Sequence, residues 1–238
     1  MTPQTIVITG ASSGIGAAVA RRIAAHHRSL VLTARNESRL ADVAYECISR
    51  GADVQCIAGD IARSATISAL KAQCRHLPPL TGLVNNAGFG VFGDLARFPR
   101  KMFSTVLETN VLAPFELAKA LLPYLRRDPK SGDVSTIVNV GSDAGVTGFE
   151  KAAAYCASKG ALRLMSAALR EEWRKSGIRV TFIAPGRVDT GFNGKSPGMR
   201  PGALTAGAVA EVIEFCLFCD PILEPSDIHI DSMQRRSS

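Results

Sequence analysis

Three polar side chains within residues 142–159 could carry out acid–base chemistry. Tyr155 and Lys159 are four residues apart in a segment rich in helix formers, so they share one face of a predicted helix. A tyrosine normally titrates near ~10, and an ammonium beside it favours the phenolate and lowers that pKa. Ser142 follows a β-rich run, and a loop can bring its hydroxyl back over the helix start. This group suits the interconversion of a carbonyl and an alcohol, although a Tyr-x-x-x-Lys pair alone is more often a solvated pair.

A glycine-rich segment near the N-terminus predicts a dinucleotide site. A predicted strand at residues 5–8 runs directly into TGASSGIG at residues 9–16, and an alanine-rich helix follows to about residue 27. A strand, a glycine-rich turn and a helix set a pyrophosphate at the helix N-terminus. Gly10 permits the tight turn, Gly14 lets the phosphate approach the backbone, and Gly16 allows close helix packing. The spacing departs from the usual G-x-G-x-x-G fingerprint, so this turn alone does not identify the ligand.

Strand-like and helix-like segments alternate along the rest of the chain. Further strands are predicted at residues 30–33, 52–58, 81–84, 136–140, 178–183 and 227–230, and further helices at residues 37–50, 63–76, 100–108, 111–127, 155–175 and 206–219. This alternation predicts an α/β fold of the doubly wound, Rossmann type, with a mainly parallel sheet flanked by helices on both faces. Without any linker in the sequence, we expect a single domain over residues 1–238.

Two segments near the C-terminus are expected to be more mobile. Residues 191–205 are rich in Gly and Pro and follow a strand end, so we interpret them as a substrate lid, with a plain connector as the alternative. Residues 233–238 are predicted to form a flexible tail.

The composition narrows the class of protein. No apolar run reaches the ~20 residues of a membrane helix, and the N-terminus lacks a basic region and a cleavage site, so we expect a cytoplasmic protein without a membrane partner. The net charge of +7 is scattered and accompanied by no nucleic-acid motif, so no nucleic-acid partner is expected. Six cysteines show no disulfide framework, and the lone C-x-x-C at residues 216–219 lacks a second ligand pair, so no metal site is expected.

Taken in order and spacing, these motifs resemble the classical short-chain dehydrogenase/reductase family. The resemblance is strong from residue 5 to about residue 190. The matching motifs are Thr9-Gly10…Gly14-x-Gly16, Asp60, Asn85-Asn86-Ala87-Gly88, Asn110, Ser142, Tyr155-x-x-x-Lys159 and Pro185-Gly186…Thr190. The short polar C-terminal tail differs from that of many members, which puts the usual subunit contacts through the last strand in doubt.

The resemblance implies an oxidoreductase that interconverts a carbonyl and a secondary alcohol by hydride transfer. Tyr155 would be the general acid/base, and Lys159 would lower its pKa and hold the nicotinamide ribose. Ser142 would orient the substrate oxygen, and Asn110 would support a water that links the lysine to solvent. The implied cofactor-binding residues are Gly10, Ser12, Ser13, Gly14, Ile15, Gly16, Arg35, Asp60, Ile61, Asn86, Ala87, Gly88, Tyr155, Lys159, Pro185, Gly186, Val188 and Thr190.

The end of the second predicted strand indicates which cofactor is used. In this fold an acidic residue there binds the free 2′-hydroxyl of NAD and repels the 2′-phosphate of NADP. Ala34 occupies the place where NAD-dependent relatives carry aspartate, and Arg35 follows it. A guanidinium can grip a phosphate through two parallel hydrogen bonds, and Arg39, one turn further on, could add a contact or simply be solvated. We therefore expect NADP(H).

Partners and substrate are less closely defined. The resemblance implies a homodimer or homotetramer and a small-molecule carbonyl or alcohol substrate. Ketoacyl reduction, 3-hydroxy-acid oxidation and steroid or polyketide chemistry fit the motifs equally. Lys195 and Arg200 slightly favour an acidic substrate, and candidates for shaping the substrate pocket are Phe89, Phe92, Asp143, Phe149 and Arg187. The alternative is a non-catalytic, nucleotide-sensing or partner-binding member, but such proteins usually lose the tyrosine or the lysine.

Overall fold

Strands and helices alternate along the chain in the predicted order. This computed structural model describes residues 4–25, 28–194 and 196–234. The strands are β1 (Thr5–Thr9), β2 (Ser29–Ala34), β3 (Asp53–Ala58), β4 (Leu80–Asn85), β5 (Ser135–Val140), β6 (Ile178–Pro185), β7 (Val188–Asp189), β8 (Leu204–Thr205) and β9 (Asp227–Ile230). The α-helices are α1 (Gly14–Ala24), α2 (Glu37–Ile48), α3 (Ser64–Cys74), α4 (Arg100–Leu107), α5 (Ala113–Leu125), α6 (Ala153–Trp173) and α7 (Ala206–Phe218).

The main sheet is parallel and has seven strands in the order β3-β2-β1-β4-β5-β6-β9. Val7 of β1 pairs with Val31 of β2 on one side and with Leu83 of β4 on the other. The chain builds outward from β1 in one direction and then, from β4, in the other. Ligands bind outside the carboxyl ends of the strands at such a reversal, so the topology places the expected crevice between the ends of β1 and β4.

The two faces of the sheet are covered by different helices. Side chains of a strand alternate between faces, and both faces of β1 are apolar. Ile6 and Ile8 pack into a cluster with α1, α2 and α7, whereas Val7 packs into a second cluster with α3, α5 and α6. The predicted doubly wound, single-domain architecture is confirmed.

The observed elements differ from the predicted ones mostly at their ends. The short strands β7 and β8, which pair with each other beside residues 191–203, are absent from the sequence-based expectation. The last residues of the predicted first helix (26 and 27), Lys195 and most of the predicted tail (235–238) lie outside the described residues. None of the described helices is long and apolar enough to cross a membrane.

Candidate active site

A cleft of about 1530 Å³ opens at the carboxyl ends of the central strands. It brings together most of the residues that the sequence singles out. The predicted site residues that line it are Gly10, Ser12, Ser13, Gly14, Ile15, Arg35, Asp60, Ile61, Asn86, Ala87, Gly88, Ser142, Tyr155, Lys159, Pro185, Gly186, Val188 and Thr190. Two predicted site residues, Gly16 and Asn110, are not part of the cleft wall and lie behind it.

Helix α6 presents Tyr155 and Lys159 to this cleft from its first two turns. Both side chains are buried, with exposed fractions of 9% and 5%. The Lys159 Nζ atom lies 5.8 Å from the centroid of the Tyr155 ring and donates a hydrogen bond of 2.9 Å to the carbonyl oxygen of Val140, the last residue of β5. Strand β5 therefore fixes the position of the ammonium.

Ser142 follows β5 and caps a single 3₁₀ turn. Its Oγ atom donates to Oδ1 of Asp143 at 2.7 Å and accepts from the backbone N–H of Ala144 at 3.2 Å. This hydroxyl lies close enough to Tyr155 to lower the pKa of the phenol. As expected from the sequence, the loop after β5 brings Ser142 next to the first turns of α6.

The electrostatics of the pair differ from the expectation drawn from spacing. Burial raises the pKa of Tyr155 to about 12; the neighbouring Ser142 hydroxyl opposes this rise, and the nearby carboxylate of Asp143 adds to it. Burial lowers the pKa of Lys159 to about 8. Lys159 is not among the groups that lower the pKa of Tyr155 in this structure, so its expected effect on the phenol stays a prediction. Desolvation penalises both charged forms, while the lysine has Val140 as its hydrogen-bond partner.

Asn110 lies within a π-helical turn, Glu108–Leu112, that joins α4 to α5 without a break. Its Nδ2 atom donates to the carbonyl oxygen of Phe89 at 2.9 Å and to Oγ of Ser158 at 3.0 Å, and its Oδ1 atom accepts from the N–H of Phe89 at 3.1 Å. A π-turn, a form that often marks functional sites, accommodates this asparagine between the two helices.

The glycine-rich turn is locked to the end of β4. The Asn86 side chain donates to the carbonyl oxygens of Thr9, at 2.9 Å, and Gly10, at 3.2 Å. Gly10 has φ +65°, and a Cβ there would lie 2.8 Å from Nδ2 of Asn86. A Cβ on Gly16 would lie 2.4 Å from the Gly10 carbonyl oxygen, so Gly16 serves close helix packing, as predicted.

The start of α1 fits a pyrophosphate. Ser12 to Ile15 line the cleft, and the side chain of Ser13 at the N-cap makes no capping hydrogen bond. The first N–H groups of the helix are therefore left to a ligand, and the helix dipole favours an anion there. Gly14, with φ +55°, keeps this approach free of a side chain. The chain thus provides a cradle that suits a dinucleotide.

The end of β2 carries two basic side chains and no acidic one. Ala34 is buried, whereas Arg35 and Arg39 are exposed and line the cleft. The Asn36 side chain caps α2 by accepting from the N–H of Arg39 at 2.9 Å. No hydrogen bond or ion pair engages either guanidinium within the described parts of the chain. Both are therefore available to an anionic ligand.

Residues 192 and 193 fold over Tyr155. The rings of Phe92 and Phe192 each lie 5.8 Å from the Tyr155 ring, centroid to centroid. Oδ1 of Asn193 accepts a hydrogen bond of 3.3 Å from the N–H of Gly90. The Arg200 guanidinium donates to the carbonyl oxygens of Val188 and Phe192, which ties the far end of the segment to β7.

Comparison with known proteins identifies the family. A model of the short chain dehydrogenase family matches residues 4–200 of this chain. The chain belongs to the short-chain dehydrogenase family. It is an oxidoreductase of the dehydrogenase/reductase class, which acts on small-molecule substrates, and the resemblance stated from the sequence is confirmed.

Three relatives show how far the likeness to other short-chain dehydrogenases extends. The chain is 38% identical over 189 residues to a sulfoacetaldehyde reductase from Chromohalobacter salexigens, which covers 79% of this chain and 73% of that protein. It is similar in structure to an alcohol dehydrogenase from the archaeon Thermococcus sibiricus, which was solved with 5-hydroxy-NADP. The TM-score is 0.89, the sequence identity is 26%, and the match covers 99% of both chains. It is also similar in structure to a short-chain dehydrogenase from Sphingobium yanoikuyae, which was solved with NADPH. The TM-score is 0.81, the sequence identity is 28%, and the match covers 95% of this chain and 87% of that one.

Some cleft residues of this short-chain dehydrogenase are not identified by the sequence motifs. Phe192, Asn193 and Asp231 line the cleft without belonging to any motif. A Cβ on Gly186 would lie 2.5 Å from Oδ1 of Asp231, so the segment after β9 returns to the end of β6. The Gly- and Pro-rich composition of residues 191–205 signals a loop at this edge, but not which of its side chains turns inward.

Proposed function

We propose that this short-chain dehydrogenase is an NADP(H)-dependent carbonyl reductase that uses Tyr155 as its general acid/base. The observation that carries the proposal is the convergence of Ser142, Tyr155 and Lys159 on one wall of a cleft whose other end cradles an anion. All four predicted catalytic groups are present, with Asn110 behind Lys159, and no observation favours a non-catalytic role.

The proposed chemistry assigns one task to each group. When bound, the nicotinamide cofactor supplies the hydride for the substrate carbon. Tyr155, neutral because its pKa is raised to about 12, donates a proton to the substrate oxygen. Ser142 would turn its hydroxyl hydrogen from Asp143 to the same oxygen and orient it. Lys159, held by the carbonyl oxygen of Val140, binds the nicotinamide ribose.

Asn110 is proposed to support the return of the proton to Tyr155. A Cβ on Gly88 would lie 3.0 Å from Oδ1 of Asn110 and 3.5 Å from Nζ of Lys159, so these two polar groups meet at the same glycine. The buried lysine and the asparagine thus form a polar route behind the phenol. A proton that Tyr155 gives away can be replaced along that route without opening the substrate side of the cleft.

The preference for NADP(H) rests on the end of β2. Arg35 and Arg39 face the cleft with free guanidinium groups, and Ala34 offers no carboxylate to repel a 2′-phosphate. The solved relatives with 5-hydroxy-NADP and with NADPH support the same choice.

Residues 191–205 are proposed as the substrate lid, because Phe192 and Asn193 already reach over Tyr155.

We propose that the protein is a homodimer or homotetramer in the cytoplasm. Leu121, Leu162 and Leu169 of helices α5 and α6 pack in the core. The apolar side chains that stay exposed along the same helical region are Leu112, Phe115 and Leu164.

The test of the proposed function replaces Tyr155 by phenylalanine. The variant keeps the ring that packs between Phe92 and Phe192 but lacks the proton donor. We expect NADPH binding, measured by fluorescence titration, to persist while turnover of carbonyl substrates falls by at least ~100-fold. Near wild-type turnover in the purified, folded variant would refute the assignment.

A further inference from the structure

We propose that the carbonyl substrate is an uncharged compound that carries an aromatic or similarly bulky apolar group beside the carbonyl. This inference rests on the proposed function and adds the substrate class to it. It depends on the side chains that surround Tyr155 and on the charges that face its hydroxyl group.

Aromatic side chains are concentrated in the cleft. Four of the ten phenylalanines of the chain line it, namely Phe89, Phe92, Phe149 and Phe192. Phe92 and Phe149 keep 52% and 41% of their surface exposed. Water-exposed aromatic rings that converge on one cavity mark a binding site for apolar groups, because covering them removes apolar surface from water.

The rings stand at the reacting position rather than at a distant rim. Phe92 and Phe192 are each tilted by about 50° against the Tyr155 ring, at 5.8 Å between centroids. A Cβ on Gly90 would lie 3.0 Å from Cδ2 of Tyr155, so backbone closes that edge of the ring. A carbonyl that reaches the hydroxyl group therefore brings its substituents against these two phenylalanines. Offset or edge-to-face contacts with an aromatic substituent suit this geometry.

A negative charge acts on the proposed proton donor. Asp143 accepts the hydrogen bond of Ser142 at 2.7 Å, and its carboxylate raises the pKa of Tyr155. A substrate carboxylate or phosphate would meet this like charge in a partly buried site.

Arg200 and Lys195, the two cations that suggest an acidic substrate, have no described contact with the Asp143 carboxylate. Arg200 is already hydrogen-bonded to the carbonyl oxygens of Val188 and Phe192, which gives it a structural partner. Lys195 lies outside the described residues. Arg187 lines the cleft and is exposed, so it is the cation that the experiment must include.

The experiment compares three aldehydes with NADPH: methyl 4-formylbenzoate, 4-carboxybenzaldehyde and propanal. The first two share the aromatic ring and differ in charge, and the third lacks the ring. We expect kcat/KM for the neutral ester to exceed that for the carboxylate and that for propanal by about tenfold or more, since a factor of ten is about 1.4 kcal/mol in the barrier.

Three variants assign the preference to the proposed residues. Phe92→Ala should lower the ratio of kcat/KM for the aromatic ester to kcat/KM for propanal several-fold. Tyr45→Ala, which removes an exposed aromatic ring of α2 outside the cleft, is the matched control and should change neither. Asp143→Asn should narrow the ratio between ester and carboxylate, because it removes the like charge.

The outcomes separate this inference from the proposed function. If the wild type turns over propanal as well as the ester, or prefers the carboxylate and loses that preference in Arg187→Ala, the inference is wrong while carbonyl reduction stands. An unchanged ester-to-carboxylate ratio in Asp143→Asn would remove the charge argument. If no aldehyde or ketone is reduced with either nicotinamide cofactor, the proposed function itself fails.

Discussion

Removal of the Arg35 guanidinium tests the cofactor choice most directly. Arg35 is exposed at the end of β2 and lines the cleft, with no carboxylate at Ala34 beside it. A hydrogen bond to a charged group contributes about 1.5–3 kcal/mol, and solvent exposure favours the lower end of that range. Since 1.4 kcal/mol is a factor of ten, Arg35→Ala should raise the KM for NADPH by about tenfold. NADH has no 2′-phosphate, so its KM should barely change.

The assay is initial-rate kinetics with both cofactors and one carbonyl substrate, followed by nicotinamide absorbance. Arg126→Ala is the matched control, because Arg126 is also exposed but directly follows the end of α5, outside the cleft. The NADPH effect should weaken at high salt, where an exposed ion pair is screened. If the wild type uses NADH as well as NADPH, or if Arg35→Ala impairs both equally, the reasoning from this turn is refuted.

Three further predictions concern the lid, the buried lysine and the assembly. Asn193→Gly keeps the left-handed backbone (φ +59°) but removes the hydrogen bond to Gly90. The KM for the carbonyl substrate should therefore rise about 2–10-fold, while the KM for NADPH should not change. Equal effects on both KM values would contradict the role of residues 191–205 as a lid. Because burial lowers the pKa of Lys159 from 10.5 to about 8, the unfolded chain binds more protons between these pH values, and stability relative to Lys159→Met should rise with pH in urea unfolding at pH 7.5 and 9.5. A difference that falls with pH would mean a raised pKa in the folded protein and would contradict the effect of burial. Light scattering at micromolar concentration should give a dimer or tetramer mass, and a monomer mass would refute the proposed assembly.

The alternation of apolar strands and amphipathic helices is enough to predict the sheet. Every strand of the main sheet coincides with a predicted segment to within about two residues, and β9 matches residues 227–230. Parallel strands buried on both faces leave continuous apolar runs in the sequence, which is why they are easy to recognise. The motifs then place the cleft, because turns that follow parallel strands all meet at one edge.

Features that depend on contacts distant in sequence could not be predicted. The π-turn at Glu108–Leu112 is stabilised by bonds from Asn110 to Phe89 and Ser158, 21 and 48 residues away. Asn193 reaches Gly90 across 103 residues. Helix propensity and hydrophobic period carry no information about such partners, so they do not reveal the form of the helix at Asn110.

The electrostatics of Tyr155 and Lys159 are the most instructive difference. Their spacing suggests mutual stabilisation of a phenolate and an ammonium, but the same helix face that brings them together also buries both. Desolvation favours the neutral form of each, and the ammonium lies 5.8 Å from the ring centroid and bonds the backbone of Val140. The phenol of Tyr155 therefore keeps its proton at neutral pH. Under the proposed function, a protonated phenol in this position suits the reduction of a carbonyl, which consumes a proton.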